Sequence, residues 1–162
     1  MDDPSIVVRE AKREDLPAAA KLAASLVRLH HEWDPLRFMR IEPIEEGYLR
    51  FFRSQLGRDD LVLLVAEADG GAIVGYLMGS LVDRDWSDLR EACGKIHDLF
   101  VTEEARHHGV ATRLVEEAVA RFAALGAPRV VLMTAWKNDA GIRLFERLGF
   151  RRTMLEMTRE SD

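Results

Sequence analysis

The chain has 162 residues, is 48% hydrophobic and 31% charged, and carries a formal net charge of −5. That length suits one domain, residues 1–162, around one core, and the mix of apolar and charged residues excludes a disordered chain. An acidic pI of about 5.6 argues against nucleic acid as a partner, which needs a clustered basic face.

The chain opens Met1-Asp2-Asp3-Pro4, without the basic region and apolar run of a secretory signal. Its most apolar helical stretch, LPAAAKLAASLV, is interrupted by Lys21 and is too short for a bilayer, so no membrane role is expected. A single cysteine, Cys93, leaves no internal disulfide and fits a reducing cytoplasm, the expected location.

In chain order, SIVVREA is a β-branched run and the first predicted strand. A helix follows, with Asp15 as its cap, Pro17 in its first turn and Leu16, Ala19, Ala23 and Leu26 at helical spacing. IEPIEEGYLRFFRSQLG reads as a second helix stopped by Gly57. Two apolar runs in LVLLVAEADGGAIVGYLMGSLV flank Asp69-Gly70-Gly71, a hairpin signal. DRDWSDLREACG reads as a polar loop, and KIHDLFV as a strand. From Gly109 to Leu125 an amphipathic helix places Val110, Leu114, Ala118 and Phe122 on one stripe, with Arg113, Glu116, Glu117 and Arg121 facing out. RVVLMTA is a predicted buried strand, NDAGIRLFERLG a short helix and FRRTMLEMT a last strand. The order β-α-α-β-β-β-α-β-α-β implies an α/β (α+β) fold, a mixed sheet with helices on both faces.

The stretch RHHGVA joins a strand to the long amphipathic helix. A helix N-terminus offers unpaired backbone N–H groups and a partial positive charge, Arg106 adds a fork of donors, and Gly109 permits close approach. Together they suit a phosphate or pyrophosphate. The turn matches neither the G-x-G-x-x-G dinucleotide fingerprint nor the P-loop ending Gly-Lys-Ser/Thr.

These residues resemble the GNAT N-acetyltransferase superfamily. Its acetyl-CoA motif, Arg/Gln-x-x-Gly-x-Gly/Ala at the head of a helix, corresponds to Arg106, Gly109 and Ala111 in LFVTEEARHHGVATRL. Its second signature, an Asn before a short helix ending in Gly-Phe, corresponds to Asn138, Phe145, Gly149 and Phe150 in NDAGIRLFERLGF. VVREAKREDLPAAAKL is similar to the family's first strand and helix, so the resemblance covers nearly the whole chain. It implies the GNAT fold, a mixed central sheet of six to seven strands flanked by about four helices, with acetyl-CoA as cosubstrate. It further implies that Leu99, Phe100 and Val101 bond the pantetheine arm like an added strand. The amides of His107, His108, Gly109, Val110, Ala111 and Thr112 would receive the pyrophosphate, and Asn138, Ile142 and Phe145 would flank the arm. Arg106, Arg113, Arg143 and Arg147 are candidates for the phosphates.

The implied reaction is attack of a neutral amine on the thioester carbonyl, so a base must take the proton of an amine with pKa near 10. His97 and Asp98 in KIHDLFV are the candidates, with a structural hydrogen-bond network as the competing reading. Many relatives place a tyrosine acid where this chain has Phe145, so no general acid is assigned. His30 and His31 point about 100° apart on a helix, and no Cys/His spacing supports a metal. Cys93 shows no activating partner in the sequence.

For the acceptor, Glu32, Asp34, Glu42, Glu45, Glu46, Asp83, Asp85, Asp88 and Glu91 suggest an acidic rim, with Trp33, Phe38 and Trp86 to pack on a carbon chain. TAWKNDA, Thr134–Ala140, echoes a stretch of diamine acetyltransferases and favours a small polyamine-like amine. The alternatives are a protein or peptide N-acetyltransferase and a non-catalytic acyl-CoA-binding module. Homodimers are common in the family, and Met154–Met157 is the apolar stretch suited to that contact.

Overall fold

A computed structural model describes residues 5–161. The acidic start read above for the absence of an export signal lies outside the described residues. Strand β1 (Ile6–Glu10) leads through a 3-10 turn to α1 (Leu16–Trp33) and α2 (Ile44–Gln55). The meander β2 (Leu61–Ala68), β3 (Ile73–Val82) and β4 (Cys93–Val101) follows, then α3 (Val110–Ala124), β5 (Val130–Leu132) and α4 (Asp139–Arg147).

The sheet runs β1-β2-β3-β4-β5, antiparallel through β4 and parallel between β4 and β5. This is the mixed α/β architecture expected from the resemblance, with four α-helices and, among the described residues, five strands where six to seven were expected. Both faces of the sheet are covered, which is why LVLLVA reads as a continuous apolar run without alternation. On one face Leu63, Val65, Tyr76 and Met78 pack against Leu16, Ala20 and Ala23 of α1 and Phe52 of α2. On the other, Leu64, Leu77 and Ile96 pack against Val110, Leu114, Ala118 and Phe122 of α3.

Two glycines set how closely α3 approaches. A Cβ on Gly94 would lie 2.5 Å from the Phe122 ring, and one on Gly79 would lie 2.8 Å from the same ring. The Phe122 ring therefore occupies the space that side chains on β3 and β4 would take.

Three expectations are corrected. FRRTMLEMT forms no strand: residues 150–161 carry no regular structure among the described residues. RVVLMTA is not a long buried strand, because only Val130–Leu132 pair, and all three are half-buried. Asp15 does not cap α1 with its side chain. That carboxylate instead accepts two bonds from Arg9, 2.7 and 2.9 Å, and one from the Lys12 amide, 2.7 Å. Asp15 is only 6% exposed, and this bonding holds its pKa below the usual carboxylate value, the Arg9 hydrogen bond being the largest cause. An acidic residue before an apolar helix looks like a cap in one dimension; the arginine on β1 competes for it in three.

Candidate functional site

The site begins with a change of partners along β4. Gly94, Lys95 and Ile96 pair with Val130, Val131 and Leu132, and there β5 ends. From His97 to Val101, β4 is bonded among the described residues to β3 alone, so its other edge presents backbone groups without a described strand partner. The register with β3 slips at the same point, from Gly79–Ile96 to Met78–Asp98. His97 is the extra residue of this bulge, a device that re-aims neighbouring side chains. The sheet thus opens beside the two residues that the sequence offered as bases.

Their surroundings differ. Asp98 lies on the α1–α2 face opposite Met78 and accepts a hydrogen bond from the Tyr76 hydroxyl at 3.2 Å. Burial pushes the Asp98 carboxyl above the usual carboxylate value, while the Tyr76 bond and the nearby His30 act the other way. Burial raises the phenol of Tyr76, and it raises that of Tyr48 on α2 to about 12, with Asp98 adding to both. His97 is exposed, and its Nε2 lies 2.9 Å from Ser80 Oγ. Local desolvation and Lys95 lower its pKa.

Tyr76 and Tyr48 were not singled out from the sequence. The available signal was a tyrosine inside an otherwise apolar strand, since a buried phenol needs a hydrogen-bond partner.

At the far end of β4, Arg106 leads into the turn. His107 has φ of +68° and Gly109 +70°, both left-handed. A non-glycine residue there is uncommon and costs backbone energy, the kind of strain retained at functional sites. Among the described residues no side chain caps α3, so its first-turn amides on Val110, Ala111 and Thr112 have no side-chain acceptor there. Successive amides in left-handed turns before a free helix N-terminus form a concave anion seat, which fits a pyrophosphate.

The arginines divide. Arg106 Nε donates to the Val101 carbonyl at 3.3 Å, and its guanidinium lies over Phe100 at 5.9 Å, so it braces the turn. Arg113 donates to the Ile6 carbonyl on β1, a structural contact that takes it from the phosphate candidates. Arg143 and Arg147 stand exposed on α4. Asn138 caps α4, accepting from the Gly141 amide at 3.0 Å and donating to Thr134 Oγ1 at 3.0 Å. Ile142 and Phe145 are half-buried, Phe145 packing edge-on against Phe150.

In the region expected to shape the acceptor pocket, His30 sits 4.9 Å from both the Trp33 and Phe38 rings. Trp86 is not part of this group: it is 77% exposed, beside Arg84. Part of the expected acidic rim is paired with arginines. Glu42 and Glu45 pair with Arg28, and Glu91 pairs with Arg84. Asp85 accepts from the Ser87 amide at 2.8 Å, a local bond within the loop. Among the described residues no cluster of three or more His, Cys, Asp or Glu is placed to hold a metal, and no helix is long and apolar enough to cross a membrane. Cys93 is buried with its Sγ 3.1 Å from Arg90 Nη1.

A mixed sheet opened beside β4, with a left-handed turn leading into the N-terminus of α3, is the arrangement expected of an N-acetyltransferase. The chain belongs to the acetyltransferase (GNAT) family, whose model matches residues 26–150. Members are acetyl-CoA-dependent N-acetyltransferases. An uncharacterized N-acetyltransferase of Archaeoglobus fulgidus is 38% identical over 71 residues, 43% of this chain and 46% of that protein. The match thus spans about half the length of that relative. A solved protein of Bacillus halodurans superposes with a TM-score of 0.82 at 22% identity, covering 96% of this chain and 99% of its own. An aminoglycoside N-acetyltransferase in complex with CoA gives 0.74 at 18% identity, covering 98% of this chain and 95% of its own.

Proposed function

We propose that this chain, a single domain over residues 1–162, moves the acetyl group of acetyl-CoA to the primary amine of a small, polyamine-like molecule in the cytoplasm. The observation that carries the reading is the bulge at His97, which sets Asp98 beside the point where the sheet opens. The free edge of Leu99, Phe100 and Val101 suits the amide-bearing arm of the cosubstrate. The amides from His107 to Thr112 suit its pyrophosphate, and Asn138, Ile142 and Phe145 border the arm.

Asp98 is the better base. A carboxyl with a raised pKa takes a proton more readily than an ordinary one and still ionises as the pH rises through its value. The amine nitrogen attacks the thioester carbonyl, Asp98 accepts a proton from that nitrogen, and the C–S bond breaks to release coenzyme A. Phe145 donates no proton, so the thiolate leaves as such; thiols ionise near pKa 8.5, which makes this tolerable. His97, tied to Ser80 and exposed, assists at the rim. The Asp98 carboxyl, within electrostatic reach of His30, and the Trp33 and Phe38 rings that pack on His30 suit a cationic amine on a slim carbon chain. A homodimer is part of the proposal.

The test is release of free coenzyme A from acetyl-CoA, followed with a thiol reagent, against polyamines, amino acids, aminoglycosides and peptides. Amine-dependent release highest with polyamines is expected. Tight acetyl-CoA binding without release under any amine would favour a regulatory binding module, the reading that Phe145 in place of a tyrosine supports.

A further inference from the structure

One buried titratable group has no part in the reaction proposed above: the phenol of Tyr76, wholly enclosed on β3. Its ring stands edge-on to Phe52 of α2 at 5.9 Å, and Leu16, Ala20 and Ala23 of α1 belong to the same core. A phenylalanine would pack there without a hydroxyl to satisfy, and burying a hydroxyl is costly unless it is bonded. Among the described residues the Tyr76 hydroxyl has one bond, to Asp98 Oδ2 at 3.2 Å.

The β4 bulge brings the two together. Without the slip after Gly79–Ile96, Asp98 would stand opposite Leu77, whose side chain packs with α3. The extra residue, His97, moves Asp98 opposite Met78, onto the face that Tyr76 shares. Tyr76 is then the diagonal cross-strand neighbour of Asp98, within reach of a long side chain. With its ring enclosed, the donor has a fixed position.

The two carboxylate oxygens are therefore unequal. Oδ2 is held by Tyr76, while Oδ1 has no hydrogen-bond partner among the described residues. No buried side-chain nitrogen or oxygen among those residues goes without a partner, so Oδ1 reaches solvent. The other titratable groups around this carboxyl are His30 of α1, Tyr48 of α2 and His97, its neighbour on β4. Among the described residues none of the three is bonded to it: His30 Nδ1 meets the Leu26 carbonyl at 2.9 Å, and His97 Nε2 meets Ser80.

We propose that Tyr76 is the positioning residue of Asp98: its hydroxyl tethers Oδ2 and so leaves Oδ1, open to solvent, as the oxygen that takes the proton of the substrate amine. The inference rests on the acetyltransferase reading above and deepens it. As the amine attacks, its N–H bond breaks and an Oδ1–H bond forms, while the Tyr76 proton stays on its own oxygen. A protonated carboxyl still accepts at Oδ2, so the tether holds in both states, but it is stronger to the charged one. Tyr76 thus holds the carboxyl below the value that burial alone would set.

Tyr76→Phe tests the tether, in the full chain with acetyl-CoA and the best amine of the panel. The acid limb of kcat/KM should move up by roughly 1 to 2 pH units, the strength of a hydrogen bond to a charged group. Above that limb kcat should stay about 10-fold below the parent's, with acetyl-CoA affinity unchanged, since Oδ1 is no longer aimed. Tyr48→Phe, which removes a hydroxyl not bonded to Asp98, should leave the limb in place. A limb that Tyr76→Phe does not move overturns the proposal, and so does an equal shift from Tyr48→Phe. Should Tyr76→Phe fail to fold, a ring-fluorinated tyrosine at position 76 keeps the phenol and makes it a stronger donor; the limb should then move down, and an unmoved limb overturns the proposal. Carbon NMR on isotope-labelled aspartate, with the Asp98 signal assigned by its loss in Asp98→Asn, should show the same upward shift in Tyr76→Phe without turnover. A parent that releases no coenzyme A with any amine brings down the acetyltransferase reading and this inference with it; release without a shift in Tyr76→Phe overturns the tether alone.

Discussion

The two halves of β4 are built for different purposes. From Cys93 to Ile96 the strand is bonded on both sides, three of its four residues are buried, and Gly94 is covered by Phe122. From His97 to Val101 it is bonded on one side only among the described residues, behind a bulge. A closed half cannot bind anything; an open half alone would be a loose edge. Joined, the first holds the second at a fixed position, which is what the proposed reacting centre requires.

The comparison breaks most sharply at Asp98. Asp98→Asn should lower kcat by roughly 10²- to 10⁴-fold while the affinity for acetyl-CoA stays unchanged, as for loss of a base. The parent's acid limb of kcat/KM should stand above the ordinary carboxylate range, since burial raises Asp98, and it should vanish in the variant. His97→Ala should cost far less. If His97→Ala is the crippling change and Asp98→Asn is not, the roles assigned to the two residues are reversed.

Gly109→Glu should weaken acetyl-CoA binding by about 100-fold or more, measured by calorimetry, because it sets charge against the phosphates. Gly109→Ala is the control. A Cβ there meets nothing within 4 Å, so only the left-handed backbone is taxed, at roughly 1–2 kcal/mol. Equal losses in both variants would reduce the turn to a matter of backbone geometry.

In the closed half, Gly94→Ala should destabilise the fold by about 1–3 kcal/mol, read from the denaturant midpoint, as the methyl collides with Phe122. The pair with Phe122→Leu should recover part of that loss, since the ring is the obstacle.

The smallest effect contrasts Asp15 with Asp98. Asp15→Asn should cost about 2 kcal/mol near neutral pH, the range for a charged hydrogen-bonded group. Asp15 has a folded pKa below its unfolded value, so its contribution is present above the unfolded value and lost as pH falls through the folded one. Asp98, raised on folding, acts oppositely: its contribution is present below the unfolded value and lost as pH rises through the folded one. Acid unfolding of Asp15→Asn should therefore be flatter than that of the parent.

Where a feature depends on neighbours in sequence, it was legible. The hairpin at Asp69-Gly70-Gly71, the stripe of α3 and the turn at Gly109 are local patterns of backbone freedom and helical period, and each stands where the residues placed it. The motif Arg106, Gly109 and Ala111 was readable for the same reason, although the Arg106 side chain turns back to Val101. The tertiary structure decided the rest, because partners far apart in sequence compete for the same group. It gave Asp15 to Arg9, Arg113 to Ile6 and the rim carboxylates to arginines. It placed Tyr76 on Asp98, 22 residues away. It also left FRRTMLEMT unpaired: composition makes a segment capable of being a strand, but only an edge within reach, in its own chain or another, makes it one.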